Sequence, residues 1–296
     1  MRIGVVGHGV VGSAVASGME RLGHDVKVHD IKYNTSISLM LDREIVFICV
    51  PTPETPDGSA HTGIVEEVID QLLGSDWVHR TGFKEIVAVK STVPPGFMAS
   101  MEAKYDWVAK FAFVPEFLRE KSAFHDFTEG HDVCIVGTRS EKVANIVFAA
   151  HGHYPKSFAH LTPTEAELAK YFSNVFNALR VTFANGFYDV AKALGADYSK
   201  IKNALVKRPT IQDLYLDCNE NWRGFAGVCL PKDTAAFAKL VEDLGVKARI
   251  FKTIVEDNKL YKPTVPTGMR LVDNNQVVPF NEEDFETIFE TGEIKG

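Results

Sequence analysis

From Met1 to about Phe158 the chain alternates short apolar runs with stretches in which apolar residues return every three or four positions. The apolar runs predict strands at residues 2–6, 26–29, 45–50, 85–90, 109–113, 133–136 and 154–157. Between the first two, Val11, Val15, Met19 and Leu22 share one helical face, and Gly23 is the stop. Strand and helix in alternation predict an α/β domain on a doubly wound, mostly parallel sheet. Near Leu161 the pattern changes. Thr162-Pro163-Thr164-Glu165 offers a capping hydroxyl, a first-turn proline and an early acid, the marks of a helix start. The helical pattern then runs without a proline to Ala193 and stops at Leu194-Gly195, a length of roughly 45 Å. Its apolar positions include Leu168, Phe172, Val175, Phe176, Leu179 and Phe183. A helix this long is either the spine of its domain or a subunit interface. The apolar area it would otherwise expose favours the interface. Shorter helices are predicted at 199–206, 234–244 and 248–261. Residues 262–296, with Pro263, Pro266, Pro279 and many acids, read as an irregular tail in which 270–272 and 276–279 can pair as a hairpin. The expected division is therefore 1–160, 161–261 and 262–296.

The first strand runs directly into Gly7-His8-Gly9-Val10-Val11-Gly12, then a helix, then a second strand ending at Asp30. This is the context a dinucleotide fingerprint requires. Gly7 makes the tight turn, Gly9 lets the backbone approach a pyrophosphate, and Gly12 lets helix and sheet pack closely. The helix N-terminus presents N–H groups and a positive dipole end to the phosphates. Asp30 stands where a carboxylate takes the ribose hydroxyls, which predicts NAD over NADP. Lys32, two residues on, softens that preference.

Three more segments lie where strands of the sheet should end, the edge at which open α/β sheets bind ligands. They are Val50-Pro51-Thr52-Pro53, Lys90-Ser91-Thr92-Val93-Pro94-Pro95-Gly96 and Val114-Pro115-Glu116-Phe117-Leu118-Arg119-Glu120. If the last is helical, Glu116 and Glu120 share a face and suit acid–base work. The other reading is a solvated charged turn. On the long helix Lys170 and Asn174 share a face. Lys170 is either a surface charge or, given Leu168, Phe172 and Val175, partly buried. Further on, Gly224-Phe225-Ala226-Gly227-Val228-Cys229-Leu230-Pro231-Lys232-Asp233 sets one cysteine among small residues. The glycines allow close approach to the sulfur, Lys232 favours the thiolate, and Asp233 can hold a water or orient a neighbour. That equips Cys229 for covalent catalysis. Its other reading is a small buried hydrophobe.

Composition narrows the class. The 296 residues are 45% hydrophobic, enough for one large or two modest cores. A net charge of −7 argues against nucleic-acid and acidic-membrane partners. No apolar run is long enough to span a bilayer. The first strand begins at once, so no signal peptide is expected. Cys49 and Cys134 lie in apolar strand-like runs where burial is expected. With Cys218 and Cys229 they form no CxxC pair, no metal site is expected, and a reducing cytoplasm fits.

Thr92 in Lys-Ser-Thr-Val-Pro-Pro-Gly, Pro115-Glu116-Phe117-Leu118-x-Glu120, Glu167-Leu168-x-Lys170-x-x-x-Asn174 and Gly224-Phe225-x-Gly227-x-Cys229-x-Pro231-Lys232-Asp233 follow one another in order. Together they resemble the UDP-glucose/GDP-mannose dehydrogenases, NAD-dependent enzymes that oxidise a sugar C6 alcohol to a carboxylate. The resemblance spans Met1 to about Tyr261. It implies that Cys229 attacks the C6 aldehyde, that a second hydride transfer leaves a thioester, and that water hydrolyses it. It gives Lys170 and Asn174 the oxyanion, Asp233 and Thr92 the ordered water, and Glu116 and Glu120 places near the base position and the nicotinamide. Gly7, Gly9, Val10, Val11, Gly12, Asp30, Thr52 and Thr92 would touch NAD, and Lys232 would reach the cofactor. A nucleotide-sugar substrate and a homodimer are implied as well. Members of the family carry a third, nucleotide-sugar-binding domain that this chain does not reach. Ala226 and Val228 replace a usual glycine and serine, and the Arg-Ile-Gly segment expected before the cysteine is replaced by Arg208-Pro-Thr-Ile211 and Leu214-Tyr-Leu216. Two other functions compete. A β-hydroxyacid dehydrogenase of the 6-phosphogluconate type shares the Rossmann domain, the long helix and the Lys-x-x-x-Asn pair but needs no cysteine. An NAD-binding module that requires a partner chain is the non-enzymatic reading.

Overall fold

The computed structural model describes residues 1–74, 78, 85–105, 108–261, 269–272 and 276–279. They form two compact units, Met1–Pro53 with Ala60–Lys170, and Glu54–Ser59 with the residues from Tyr171 onward.

The first unit is built on a seven-stranded sheet of order β2-β1-β3-β4-β5-β6-β7. Its strands are β1 (Arg2–Val6), β2 (Asp25–His29), β3 (Ile45–Ile48), β4 (Ile86–Val89), β5 (Lys110–Phe113), β6 (Val133–Gly137) and β7 (Ser157–Leu161). Strands β1 to β5 pair in parallel, β6 runs antiparallel to β5, and β7 is parallel to β6. The doubly wound, mostly parallel sheet expected from the pattern is present. Alternate residues of each central strand feed two separate cores. Val46, Ile48, Val87 and Val89 pack with α2 (Gly63–Leu73) and α3 (Phe97–Tyr105). Ile45, Phe47, Ile86 and Ala88 pack with α1 (Val10–Arg21), α4 (Ala123–Thr128) and α5 (Glu141–His151). Burial on both faces is why these strands read as unbroken apolar runs.

β7 lies three residues later than predicted. Among the described residues it is an edge strand paired only with β6 and largely exposed, so it lacks the apolar run that marked the others. Pro155, which cannot donate to a ladder, precedes it.

The long helix α6 (Pro163–Ala193) matches the prediction at both ends. Its start is a capping box: the Glu165 carboxylate accepts from Thr162 N at 2.8 Å, and Thr162 Oγ1 accepts from Glu165 N at 3.4 Å. Gly195 ends it with φ +69°. Lys170 and Tyr171, neighbours within α6, fall in different units.

The second unit adds α7 (Tyr198–Leu205), α8 (Leu230–Asp243) and α9 (Ile250–Asn258) to the rest of α6. Val175, Ala178, Phe225 and Ile254 form its main core. Helix α8 begins four residues before its predicted start. Pro231 sits in its first turn, where a missing N–H costs nothing, rather than marking a loop. The predicted tail hairpin is present as β8 (Met269–Val272) and β9 (Gln276–Pro279), while the rest of the tail lies outside the described residues.

Gly12 tests the sheet packing. A Cβ there would stand 1.9 Å from the Gly7 carbonyl oxygen, so α1 would have to shift away from β1. Gly12→Ala should cost about 1–3 kcal/mol of stability in urea unfolding. A midpoint equal to that of the unaltered protein would refute this packing.

Candidate active site

The parallel strands β1 to β5 end on one edge, and each delivers residues singled out from the sequence. After β1, Gly7 has φ +89°, and a Cβ there would meet the Cys49 carbonyl oxygen at 2.7 Å. Gly9 has nothing within 4 Å of the corresponding position. One glycine is therefore required by the protein's own backbone and the next leaves open space, as a bound pyrophosphate needs. Helix α1 starts at Val10 with Gly9 as its N-cap and no capping side chain, so its first N–H groups are available to an anion. Val11 and Gly12 follow in the same turn.

Asp30 follows β2. Its carboxylate accepts from His8 N in the fingerprint turn at 2.6 Å and from Lys32 N at 2.9 Å. Its carboxyl is held below the usual carboxylate range, chiefly by the Lys32 N–H and further by that of His8, against the opposing effect of burial. A depressed value keeps the negative charge at neutral and mildly acidic pH. Two oxygens retain lone pairs for ribose hydroxyls. These residues fit a dinucleotide.

After β3, Thr52 is buried. After β4, Lys90 and Ser91 are buried and Thr92 is half-buried. The Thr92–Gly96 run is pinned by Glu167, a fully buried residue of α6 that was quoted in a motif but given no role. Its carboxylate accepts from Gly96 N and Met98 N, each at 2.7 Å, and so sits at the N-terminus of α3.

After β5 the sequence reading needs correction. Residues 114–119 form no helix, and only Glu120–Ser122 make a short 3-10 turn. Glu116 and Glu120 therefore share no helical face: Glu116 is buried and Glu120 exposed. Val114, restricted by the proline after it, leads into an extended segment. The Glu116 carboxylate faces the Lys90 ammonium at 2.9 Å. Lys170 is buried as well. Its ammonium donates to the Glu116 carbonyl oxygen and lies 5.5 Å over the Phe117 ring.

In the second unit Cys229 is exposed and occupies the N-cap position of α8. The small-buried-hydrophobe reading of this cysteine is thus wrong. Asp233, one turn on, is almost fully buried, and its carboxylate accepts from Asn174 Nδ2 at 2.6 Å and from the Lys232 ammonium. The one carboxylate thus engages both the Asn174 amide and the Lys232 ammonium. The loop before Cys229 is braced by residues that carried no sequence signal. Asn185 Oδ1 accepts from Arg223 Nε at 2.7 Å and Gly224 N at 3.2 Å, and Asn258 bonds both the N–H and the carbonyl of Phe225 at 2.7 and 2.9 Å. Gly224 (φ +63°) is needed because a Cβ would lie 3.0 Å from Asn258 Oδ1, whereas the space at Gly227 is open.

The family model of the UDP-glucose/GDP-mannose dehydrogenase NAD-binding domain matches residues 32–153, and that of the central domain matches residues 164–260. The chain belongs to the UDP-glucose/GDP-mannose dehydrogenase family. Its first unit carries the family's NAD-binding domain, and its cofactor is NAD. The UDP-glucose 6-dehydrogenase TuaD of Bacillus subtilis is 30% identical over 222 residues, which cover 73% of this chain and 46% of that protein. The solved structure of a UDP-glucose dehydrogenase from Pyrobaculum islandicum is 31% identical with a TM-score of 0.79, covering 88% of this chain and 68% of that one. A 3-hydroxyisobutyrate dehydrogenase from Mycobacterium tuberculosis shares the fold at 14% identity and a TM-score of 0.68, covering 88% of this chain and 92% of that one. The chain spans about half the length of several curated relatives it matches. Among the described residues no helix is long and apolar enough to cross a membrane.

Two outcomes follow for this family member. Asp30→Ala should weaken NAD about tenfold or more, the worth of a hydrogen bond to a charged group, and narrow the preference over NADP. Tighter binding of NADP than NAD by the unaltered protein, in isothermal titration, would overturn the assignment of Asp30. Burial pushes the Cys49 and Cys134 thiols up to about 12, so both are protonated at pH 8. Iodoacetamide at that pH should modify exposed Cys229 first, and peptide mapping showing Cys49 or Cys134 alkylated ahead of it would contradict the site as described.

Proposed function

We propose that this chain is an NAD-dependent nucleotide-sugar 6-dehydrogenase that oxidises a C6 alcohol, as in UDP-glucose, to the carboxylate by two hydride transfers and a covalent intermediate on Cys229. The observation that carries this reading is an exposed cysteine at the N-terminus of α8, one turn before a buried Asp233 bonded to Asn174. A single oxidation to a ketone or aldehyde needs no thiol, whereas a thiol that traps the aldehyde as a thiohemiacetal holds it in place for the second oxidation. Relatives named UDP-glucose 6-dehydrogenase point to the same chemistry.

Bound NAD supplies the hydride acceptor. The chain supplies the rest. The Cys229 thiolate, at the positive end of the α8 dipole, adds to the C6 aldehyde to form a thiohemiacetal. Loss of the second hydride from C6 leaves a thioester, and water attacks it to release the acid and return the thiol. Lys170 and Asn174 are the oxyanion donors. Lys170 uses one of three ammonium protons on Glu116 and Asn174 one of two amide protons on Asp233, so each retains a donor. Donors held in place in this way are worth about 2.7–4 kcal/mol each. Asp233 and Thr92 hold the hydrolytic water. Glu116 and Glu120 complete the set after β5, with Glu120 the carboxylate open to solvent. Thr52, Thr92, Val10 and Val11 contact NAD, and Lys232 reaches it. Residues 161–261 form the dimerisation domain, 262–296 are an appended tail, and a cytoplasmic location follows from the cofactor and substrate.

The dimer reading rests on α6. Phe172, Phe176, Phe183, Phe187 and Val190, with Leu194 just past its end, are all exposed, Phe172 at 73% and Leu194 at 78%. An apolar face of that extent marks an interaction surface. A second copy, packing the same face of α6 by two-fold symmetry, covers it.

The unaltered protein should form two NADH per acid. Cys229→Ser should lower acid formation by about three orders of magnitude or more while NAD affinity stays unchanged. Acid formed from any nucleotide sugar at an undiminished rate by the serine variant would rule out the covalent route. Phe176→Glu should convert the dimer to monomer in light scattering at micromolar concentration, since it replaces an apolar ring with a charge that the interface would have to desolvate. An unaltered protein already monomeric under those conditions would remove the dimer.

A further inference from the structure

Lys90 follows β4 and has 1% of its side chain exposed. Its ammonium lies 2.9 Å from the Glu116 carboxylate, 5.8 Å from the centre of each of the Phe47 and Phe127 rings, and 3.4 Å from the Val114 carbonyl oxygen. Two desolvated charges in a core of valine, isoleucine and phenylalanine are poor value for stability, since an apolar pair of equal volume commonly does as well. What the pair does fix is position. Glu116 is held at both ends. Its Oε1 accepts from Phe117 N at 3.0 Å, its Oε2 faces Lys90, and its carbonyl oxygen accepts from the Lys170 ammonium. Phe117, the next residue, presents its ring to the same ammonium. The chain of contacts runs from Lys90 through Glu116 to Lys170, all within the first unit, and each member is buried.

We infer that Lys90 is a positioning residue: its ion pair with Glu116 fixes the turn after β5, and the Glu116 carbonyl in that turn sets the Lys170 ammonium. Glu116 then serves through its main chain, its carboxylate being the anchor. The inference rests on the proposed role of Lys170 at the oxyanion. A lysine ammonium on four rotatable bonds adopts many positions unless something selects one. A carbonyl acceptor and an aromatic face select one, provided the loop that carries both does not move. Tethering that loop to a cation rooted at the end of the neighbouring strand meets this condition.

Lys90→Met keeps much of the length of lysine without its charge, and leaves Glu116 a buried carboxylate without its cation. Lys90→Met/Glu116→Gln removes both charges. Lys170 is read directly by competitive acetic anhydride labelling of the full chain and peptide mass spectrometry, normalised to exposed Lys142. In Lys90→Met, Lys170 should label at least about fivefold faster as its loop loosens, with NAD affinity unchanged. With UDP-glucose, kcat should fall about tenfold or more while KM stays within about twofold, the pattern of a lost transition-state contact. The double variant should regain Lys170 protection, which is the arm that tests positioning apart from any role of the Glu116 carboxylate in turnover. Should Lys90→Met fail to fold, Lys90→Gln, which keeps a donor near the carboxylate, should show the same rise in labelling to a smaller degree. Lys170 labelling at the unaltered rate in a folded single variant overturns the inference, as does a double variant whose Lys170 labels as fast as in the single. If the unaltered protein oxidises no nucleotide sugar, the proposed function fails, and the labelling arm still decides whether Lys90 sets Lys170.

Discussion

Parallel pairing of β1 to β5 is the constraint on which the first unit depends. Hydrogen bonds between parallel strands carry no side-chain information. They do force five strand ends onto one edge in fixed register, and the pairing continues past the strands themselves: Gly7 N donates to His29 O, Cys49 N to Val6 O, Lys90 N to Ile48 O and Val114 N to Val89 O. Residues scattered from Gly7 to Glu116 are thereby held along one rim. The positive φ of Gly7 and the bare Gly12 belong to the same constraint, because helix α1 can leave β1 only through that crowded turn.

Buried polar groups do the fine placement. Glu167 takes the first N–H groups of α3, Glu116 takes Lys90, and Asp233 takes both Asn174 and Lys232. A polar atom in a dry interior is costly unless its partners are in place, so each such group permits few arrangements of the backbone around it. Apolar packing alone tolerates shifts that these groups do not. The most demanding chemistry proposed for the chain, stabilising charge at one sugar carbon, draws on the side chains placed in this way.

The loop before Cys229 shows the same economy with less regular structure. Residues 206–229 contain no helix or long strand, yet Arg223 lies 4.8 and 4.5 Å from the ring centres of Tyr188 and Tyr261 and is paired with Asp189. With Asn185 and Asn258 it ties the glycine-rich turn to α6 and α9. Glycine permits the turn, and these side chains choose it from the conformations glycine allows.

The sequence by itself determined the strands buried on both faces, both ends of α6, the fingerprint turn and the family, because each is written in local spacing. It missed the position of β7, whose half-exposed edge carries little periodicity, and the start of α8, where a first-turn proline looks the same as a loop proline. It identified Glu116, Lys170, Asn174 and Asp233 as candidates, but it could not say what each would touch. A shared helical face for Glu116 and Glu120 was a reasonable expectation from a spacing of four, and the extended segment after Pro115 removes it. Only the tertiary structure decided that Glu116 turns inward to Lys90, that its carbonyl receives Lys170, and that Asn185, Arg223 and Asn258 hold the cysteine loop. Those pairings join residues distant in the chain, and an ion pair or a buried amide leaves no periodic trace. It is selected by which groups end up together in a low-dielectric interior, and that is settled only once the sheet has closed around them.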